Sequence, residues 1–224
     1  MEHAPSTPSA CAGSPVDNRV ASADTRATAT QESTTTPRVA LVTGAGKRLG
    51  RAIALALAQD GWDIGVHCRD SVAEAKQTVT DIQGLGRRAV VLQADLDDAA
   101  QCQTLVPRLA DALGPVSGLV NSASRFEYDD IRSFTPESLQ QHLVPNLMAP
   151  LLLAQSLASQ LPAAPVQGVI VNLLDQKLFN LNPDFLSYTL SKAALSAATT
   201  MLAQTLAPRM RVVGVAPGLT LPSY

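Results

Sequence analysis

Residues 39–50 read VALVTGAGKRLG, and this stretch decides the fold class. Val39 to Val42 predicts a short buried strand, and Arg51 to Asp60 predicts a helix that stops at Gly61. Between them, small residues let the backbone approach a phosphate, and the start of the helix presents unpaired N–H groups to its negative charge. No Gly-Lys-Ser/Thr follows at P-loop spacing, so the stretch predicts the first βα unit of a nucleotide-binding sheet.

Short apolar runs alternate with helical segments along the rest of the sequence. The predicted strands are Ile64 to Cys68, Ala89 to Gln93, Val116 to Val120, Val166 to Leu174 and Val212 to Val215. The predicted helices are Val72 to Gln83, Ala99 to Leu113 with a kink or break at Pro107, Pro136 to Ser159 and Ser187 to Leu206. Because the strands lack polar alternation, we expect both faces to be buried. The order predicts an α/β fold, a doubly wound parallel sheet of the Rossmann type in one domain.

Composition excludes several classes of function. The net charge of -2 in 224 residues offers no basic face for a phosphate backbone, so we expect a small-molecule partner and no nucleic acid. No apolar run is long enough to span a bilayer and no secretory signal is evident, which predicts no membrane association and a cytoplasmic location. The three cysteines lack metal or disulfide spacing, so we expect no metal site.

The N-terminal segment differs from the rest of the sequence. Residues 1–37 are mostly Ser, Thr, Ala and Pro with almost no large apolar side chain, which predicts a disordered tail. We therefore assign the folded domain to residues 38–224.

The end of the second predicted strand bears on the choice of dinucleotide. A site that prefers NAD places an acid about twenty residues after the first Gly, to bind the ribose 2′-OH. Here Cys68 holds that place, Arg69 and Ser71 follow it, and Lys47 and Arg48 converge on the same pocket. This set suits a 2′-phosphate and favours NADP over NAD.

Four residues each keep two interpretations. Arg69 is either a phosphate ligand or a solvated surface charge, and Asp70 either binds a 2′-OH or points to solvent. Asp95 either accepts a hydrogen bond from an adenine amino group or caps the following helix. Asp175, at the carboxyl end of the fifth strand, is either catalytic or the start of the loop from Gln176 to Asp184.

Tyr188 and Lys192 lie four residues apart on a predicted helix, so both side chains emerge on one face. A lysine ammonium near a phenol favours the phenolate and lowers the tyrosine pKa toward neutral pH. Such a tyrosine can exchange a proton while hydride moves to or from a nicotinamide.

Together these residues resemble the short-chain dehydrogenase/reductase family. The Gly turn, Asp95-Leu96, the run 121–124 (NSAS), Asn146, the Tyr188/Lys192 pair and Pro217-Gly218 occur in the family's order. Arg48 in the Gly turn, Ser124 in place of a Gly and Asp175 in place of the catalytic Ser are further similar to its pteridine reductases. Ser122 departs from the second Asn of that branch.

The resemblance implies hydride transfer from NADPH to a C=N bond of a dihydropterin or dihydrofolate. Phe126 would stack on the pterin, Asp175 and Tyr188 would bind it and supply protons, and Lys192 would hold the nicotinamide ribose and lower the Tyr188 pKa. The cofactor-binding residues predicted are Gly44, Lys47, Arg48, Leu49, Gly50, His67, Arg69, Ser71, Asp95, Leu96, Asn121, Ala123, Ser124, Tyr188, Lys192, Pro217 and Gly218. The resemblance also implies a homo-oligomer, a dimer or a tetramer. Because family members continue past Pro217-Gly218, it further implies a sheet that lacks the last helix and strand.

Two alternatives remain open. A carbonyl reductase of the same family is favoured if Phe126 faces the core or if Asp175 points away from the nicotinamide pocket. A catalytically disabled nucleotide-binding protein is the other alternative.

Overall fold

The computed structural model describes residues 38–161 and 168–218. The tail predicted at 1–37 lies outside the described residues, as do Val166 and Gln167 of the predicted fifth strand. In order, the elements are β1 (Arg38–Val42), α1 (Arg48–Gln59), β2 (Trp62–Cys68), α2 (Val72–Gly84), β3 (Ala89–Gln93), α3 (Ala99–Leu113), β4 (Val116–Asn121), α4 (Pro136–Leu143), α5 (Ala149–Gln160), β5 (Gly168–Leu173), α6 (Leu186–Leu206) and β6 (Met210–Val215).

The strands form one parallel sheet in the order β3-β2-β1-β4-β5-β6. The order reverses at β1, because the chain first adds β2 and β3 on one side and then β4, β5 and β6 on the other. The carboxyl ends of β1 and β4 therefore flank the crevice where open α/β sheets bind ligands. The prediction of a doubly wound parallel sheet is confirmed.

Helices cover both faces of the sheet, and β1 illustrates why its sequence is apolar throughout. Val39 and Leu41 belong to the core that packs against α3 and α5, whereas Ala40 and Val42 belong to the core against α1 and α2. Successive strand side chains point to opposite faces, and here each face meets a helical layer.

The predicted helix from Pro136 to Ser159 is interrupted. A π-helical turn, Val144–Met148, separates α4 from α5. Pro145 lies in this turn and has no N–H to donate, so the regular hydrogen-bond ladder cannot continue unchanged. The turn contains the buried Asn146, which becomes important at the site.

Two other helices differ from their predictions. The helix α3 continues through Pro107, so a break there is wrong. Gln103, whose carbonyl loses its helical partner, is exposed to water that can satisfy it. The helix α1 begins at Arg48, three residues before the predicted start. Within 38–161 and 168–218, no helix combines the length and apolarity needed to cross a membrane.

Candidate active site

A cleft of about 780 Å³ lies at the carboxyl ends of the first four strands. The predicted site residues that line it are Gly44, Lys47, Arg48, Leu49, Gly50, His67, Arg69, Ser71, Asp95, Leu96, Ala123, Ser124 and Phe126. The lining residues that the site prediction did not include are Cys68, Asp70, Glu74, Asp97, Ser122, Arg125, Glu127 and Pro145. The tertiary structure thus brings together side chains from four separate strand ends.

The Gly turn fits a pyrophosphate. Gly44 has a φ of +66°, and a Cβ on Gly50 would lie 2.3 Å from the Gly44 carbonyl oxygen, so α1 can begin this close to the turn only with glycine there. No side chain caps α1 at Lys47, and its first turn contains no acid. The first N–H groups of α1 and the positive end of its dipole are therefore suited to a bound anion.

His67 connects the Gly turn to the neighbouring strands. The Gly44 N–H donates to Nδ1 at 3.1 Å, and Nε2 lies 3.2 Å from the Ala94 carbonyl oxygen, to which it donates. Burial lowers the pKa of His67 from 6.5 to about 4, so the ring is neutral near pH 7. Both ring nitrogens form hydrogen bonds with backbone groups, so His67 stabilises the Gly turn.

The buried His67 predicts a loss of stability in acid. Its folded pKa of about 4 lies below its ordinary 6.5, so only the unfolded chain gains a proton as the pH falls between these values. The free energy of unfolding should therefore be fully retained above pH 6.5 and decrease by about 3 kcal/mol toward pH 4. Urea unfolding across this range would measure the slope. His67→Gln should flatten it, and an unchanged slope in the variant would contradict the assignment.

The predicted phosphate ligands lie together but already have acidic neighbours. Lys47 Nζ contacts Glu74 Oε1 at 2.6 Å, and Arg69 Nε donates to Asp70 Oδ2 at 2.8 Å. All four side chains are about half exposed or more. Arg69 and Asp70 thus pair with each other in an exposed ion pair at the rim of the cleft. Such exposed pairs contribute little free energy, so Arg69 can leave Asp70 to bind an anion at little cost.

Asp95 does not cap the following helix. Asp98 caps α3 by accepting from the Ala100 and Gln101 N–H groups at 2.8 and 3.2 Å, because the strand continues into a turn before the helix starts. Asp95 Oδ1 instead accepts from the Asp97 N–H at 3.0 Å, at the edge of the cleft. The adenine-side role remains a prediction.

The three predicted catalytic residues lie together. Tyr188 OH donates to Asp175 Oδ2 at 2.7 Å, and Asp175 Oδ1 accepts from the Lys177 N–H at 2.7 Å. One carboxylate oxygen of Asp175 therefore caps the turn that begins the following loop, and the other accepts the hydrogen bond from Tyr188. Lys192 Nζ donates to the Leu173 carbonyl at 2.7 Å and lies 5.8 Å from the centre of the Tyr188 ring.

The electrostatics of this cluster correct one expectation. Burial raises the pKa of Tyr188 above its usual range, and the hydrogen bond and charge of Asp175 raise it further. The prediction that Lys192 lowers this pKa is wrong for this arrangement, because the carboxylate touches the phenol whereas the ammonium donates to a backbone carbonyl. Burial lowers the pKa of Lys192 to about 8, against a smaller opposite effect of Asp175. Tyr188 is consequently a protonated phenol, a potential proton donor, near neutral pH.

Asn146 joins the loop after β4 to α6. Its Oδ1 accepts from the Arg125 N–H at 2.7 Å and from Ser124 Oγ at 3.1 Å. Its Nδ2 donates to the Arg125 carbonyl at 3.0 Å and to Ser191 Oγ at 2.9 Å. All four hydrogen-bonding positions of this buried amide are used, which fixes the loop that carries Phe126.

Some predicted cofactor contacts lie away from the cleft. Asn121 is buried and donates from Nδ2 to Asn172 Oδ1 at 2.8 Å across β4 and β5, because its side chain points into the sheet layer. Pro217 and Gly218 lie beside the Asp175 loop, where the Gln176 N–H donates to the Pro217 carbonyl at 3.2 Å. None of these three residues lines the described cleft.

Phe126 belongs to an aromatic group at the cleft. It is half exposed, stacks on Phe185 with ring centres 4.4 Å apart, and meets the Tyr188 ring edge-on at 4.7 Å. Tyr128 contacts Phe185 edge-on at 5.3 Å. The sequence prediction did not include Phe185. Its position three residues before Tyr188 was the feature of the sequence that could have indicated it. Phe126 does not face the core, so the first condition that favours a carbonyl reductase is not met. Asp175 points at Tyr188, and Asp175, Tyr188 and Lys192 are not among the residues that line the described cleft.

Known proteins are similar to this chain in sequence and in fold. Residues 38–223 match the short chain dehydrogenase family. An uncharacterized oxidoreductase from Methylorubrum extorquens is 36% identical over 182 residues, which cover 81% of this chain and 72% of that protein. The crystal structure of FolM alternative dihydrofolate reductase 1 from Brucella suis, in complex with NADP, is 41% identical with a TM-score of 0.79 over 83% of this chain and 76% of that one.

The promiscuous reductase LugOII, which catalyses keto-reduction at C1 during lugdunomycin biosynthesis, is 32% identical with a TM-score of 0.76 over 81% of this chain and 74% of that one. Family match, sequence identity and fold agree over the region that contains the cleft and the Tyr188/Lys192 pair. This chain therefore belongs to the short chain dehydrogenase family of oxidoreductases.

Proposed function

We propose that this protein is an NADPH-dependent reductase of a pterin-type C=N bond, with a dihydropterin or dihydrofolate as substrate. The observation that carries the proposal is the contact of Tyr188 OH with Asp175 Oδ2 at 2.7 Å, beside the half-exposed ring of Phe126. A flat heteroaromatic substrate can stack on the exposed part of that ring while its ring nitrogen faces the Tyr188 hydroxyl and the Asp175 carboxylate.

Several features support NADP as the cofactor. The uncapped start of α1 suits the pyrophosphate, and Lys47, Arg48 and Arg69 supply cationic groups around the end of β2 for a 2′-phosphate. Among the structures with this fold, the 41% identical Brucella protein was crystallised with NADP. Asp70 would then release Arg69 from its ion pair when the phosphate binds.

Reduction of a C=N bond needs a hydride at carbon and a proton at nitrogen. NADPH supplies the hydride when bound. The Tyr188 phenol holds its proton near neutral pH, in the hydrogen bond to Asp175. When the O–H turns from Asp175 to the ring nitrogen it can donate this proton, and a proton taken up from solvent through Asp175 restores the phenol. Lys192 is buried beside Tyr188, and its role in this proposal is to hold the nicotinamide ribose.

A carboxylate suits this reaction better than a hydroxyl does. Asp175 can accept a proton from solvent and pass it to Tyr188 or to a basic ring nitrogen, whereas a serine hydroxyl only donates a hydrogen bond to an alkoxide. The choice of Asp at this position therefore favours nitrogen protonation over carbonyl reduction.

The test compares turnover of the parent protein with that of Asp175→Ser and Asp175→Asn. With NADPH and dihydrobiopterin, dihydromonapterin or dihydrofolate, we expect turnover in the parent and a decrease in kcat of about a hundred-fold in both variants. NADPH oxidation measured by absorbance gives the rates, and fluorescence titration with NADPH and NADH gives the affinities. NADPH binding without pterin turnover in the parent would contradict the proposal.

A keto reductase is the second candidate. It is favoured by the likeness to LugOII and by Tyr188 and Lys192, which suit a carbonyl equally well. Turnover of a panel of aliphatic and aromatic ketones, with Asp175→Ser at least as active as the parent, would select it. Binding of NADPH with turnover of neither substrate class would select the disabled nucleotide-binding protein.

A further inference from the structure

Asp129 is a buried acid outside the cleft, in the loop between β4 and α4. Only 3% of it is exposed, yet its carboxylate has several close partners. Oδ1 accepts from the Ser187 N–H at 2.9 Å, and Oδ2 accepts from Ser138 Oγ at 3.0 Å and from Ser187 Oγ at a short distance. Its backbone carbonyl accepts from the Leu186 N–H at 3.1 Å.

These contacts replace the usual cap of α6. Phe185 precedes the helix in a left-handed conformation and provides no side-chain cap. The first N–H groups of α6, which have no partner within the helix, are satisfied instead by a residue 58 positions earlier in the chain. A negative charge at this end also interacts favourably with the helix dipole. Burial opposes ionisation of Asp129, but the bonds from Ser187 and Ser138 outweigh it and lower its pKa.

The same loop is tied to α4. Ser138 Oγ contacts both Asp129 and Ser187, and the Glu127 N–H donates to His142 Nε2 at 3.2 Å. The segment from Phe126 to Asp129 is thus held at one end by α4 and at the other by the first turn of α6.

We propose that Asp129 is a positioning residue for catalysis, which fixes the start of α6 and thereby sets Tyr188 relative to Asp175 and Phe126. Ser187, which takes part in three of these contacts and donates in the two to Asp129, is the residue directly before Tyr188. The inference deepens the proposed function and rests on it for the substrate assayed.

A small displacement here has a large expected effect. The Tyr188 ring lies 4.7 Å from Phe126 and its hydroxyl 2.7 Å from Asp175, so rotation of the first helical turn changes both distances. Proton transfer depends steeply on such distances, and a misplacement of about 1 Å can lower a rate by about a hundred-fold. The Gly turn and the end of β2, where we expect the dinucleotide phosphates to bind, lie on other strands, so NADPH affinity should be little affected.

The experiment uses the full chain with Asp129→Leu and Asp129→Asn. Leu removes every side-chain acceptor, whereas Asn keeps an oxygen for the Ser187 N–H and its amide can donate to the serine hydroxyls. We expect kcat for the dihydropterin to decrease by about a hundred-fold in Asp129→Leu and by less than about ten-fold in Asp129→Asn. The Kd for NADPH should stay within about two-fold in both.

Asp63→Asn is the matched control. Asp63 is also buried, pairs with Arg87 and Arg88 at 2.6 and 2.7 Å, and lies at the other end of β2 from the cleft. This variant should lose thermal stability without loss of kcat in the folded protein. A kcat in Asp129→Leu no lower than in Asp63→Asn, or a loss confined to NADPH affinity, would overturn the inference.

Hydrogen exchange separates this inference from the proposed function. In Asp129→Leu, the amides of residues 186–191 should exchange at least about ten-fold faster, whereas those at the centre of α6 should not change. If the parent reduces no substrate, the proposed function fails, and this local pattern still supports the placement role. If hydrogen exchange in Asp129→Leu increases evenly along the chain, or does not increase at all, the inference is overturned.

Discussion

Replacing Tyr188 by Phe is expected to decrease kcat by about a thousand-fold while the Kd for NADPH changes by less than about two-fold. The substitution removes the hydroxyl that donates to Asp175 at 2.7 Å and retains the ring that meets Phe126 edge-on. Because Tyr188 holds its proton near neutral pH, its loss removes the proton donor and little else. Steady-state kinetics with the best substrate, together with fluorescence titration of NADPH, measures both quantities.

Tyr128→Phe is the matched control for this prediction. Tyr128 belongs to the same aromatic group, through Phe185, but its side chain is 60% exposed. Loss of its hydroxyl should leave kcat within about three-fold of the parent. Equal losses in the two variants would mean that the aromatic group, and not the Tyr188 proton, limits the reaction.

Replacing Gly50 by Ala is expected to decrease the free energy of unfolding by about 3 kcal/mol, and the Tm by roughly 10 °C. The new Cβ would lie 2.3 Å from the Gly44 oxygen and 2.8 Å from the Gly44 carbonyl carbon. Both are backbone atoms, so the clash can be relieved only by moving α1 away from the turn. NADPH affinity should decrease as well, because the displaced N–H groups are those predicted to bind the pyrophosphate.

Gly84→Ala tests whether this effect comes from the site. Gly84 ends α2, and a Cβ there meets no described atom within 4 Å. Alanine in a helix restricts the unfolded chain, so this variant should be unchanged or stabilised by up to about 1 kcal/mol, with unchanged NADPH affinity. Thermal unfolding of both variants decides the point: a Gly50→Ala protein as stable as Gly84→Ala would contradict the close packing of α1.

The residues differ in how well their environment could be predicted. Tyr188 and Lys192 were predictable because four-residue spacing on a helix fixes their common face whatever surrounds them. The direction of the Tyr188 pKa shift was not predictable, because it depends on which charged group touches the phenol. That group is Asp175, and its contact with Tyr188 joins the loop after β5 to α6. His67 and Asn121 have the right sequence positions for cofactor contacts, but their polar atoms bond to neighbouring strands.

The sequence by itself determined the fold class, the order of strands and helices, and the position of the Gly turn. These follow from local patterns of apolar and small residues, which act over a few neighbours along the chain. Only the tertiary structure decided that Asp129 caps α6, that Phe185 covers Phe126, that Asn146 lies in a π-helical turn against the loop it anchors, and that Asp175 holds the Tyr188 hydroxyl. Each of these contacts joins segments that the sheet or its loops bring together, and their geometry depends on the packing of whole elements.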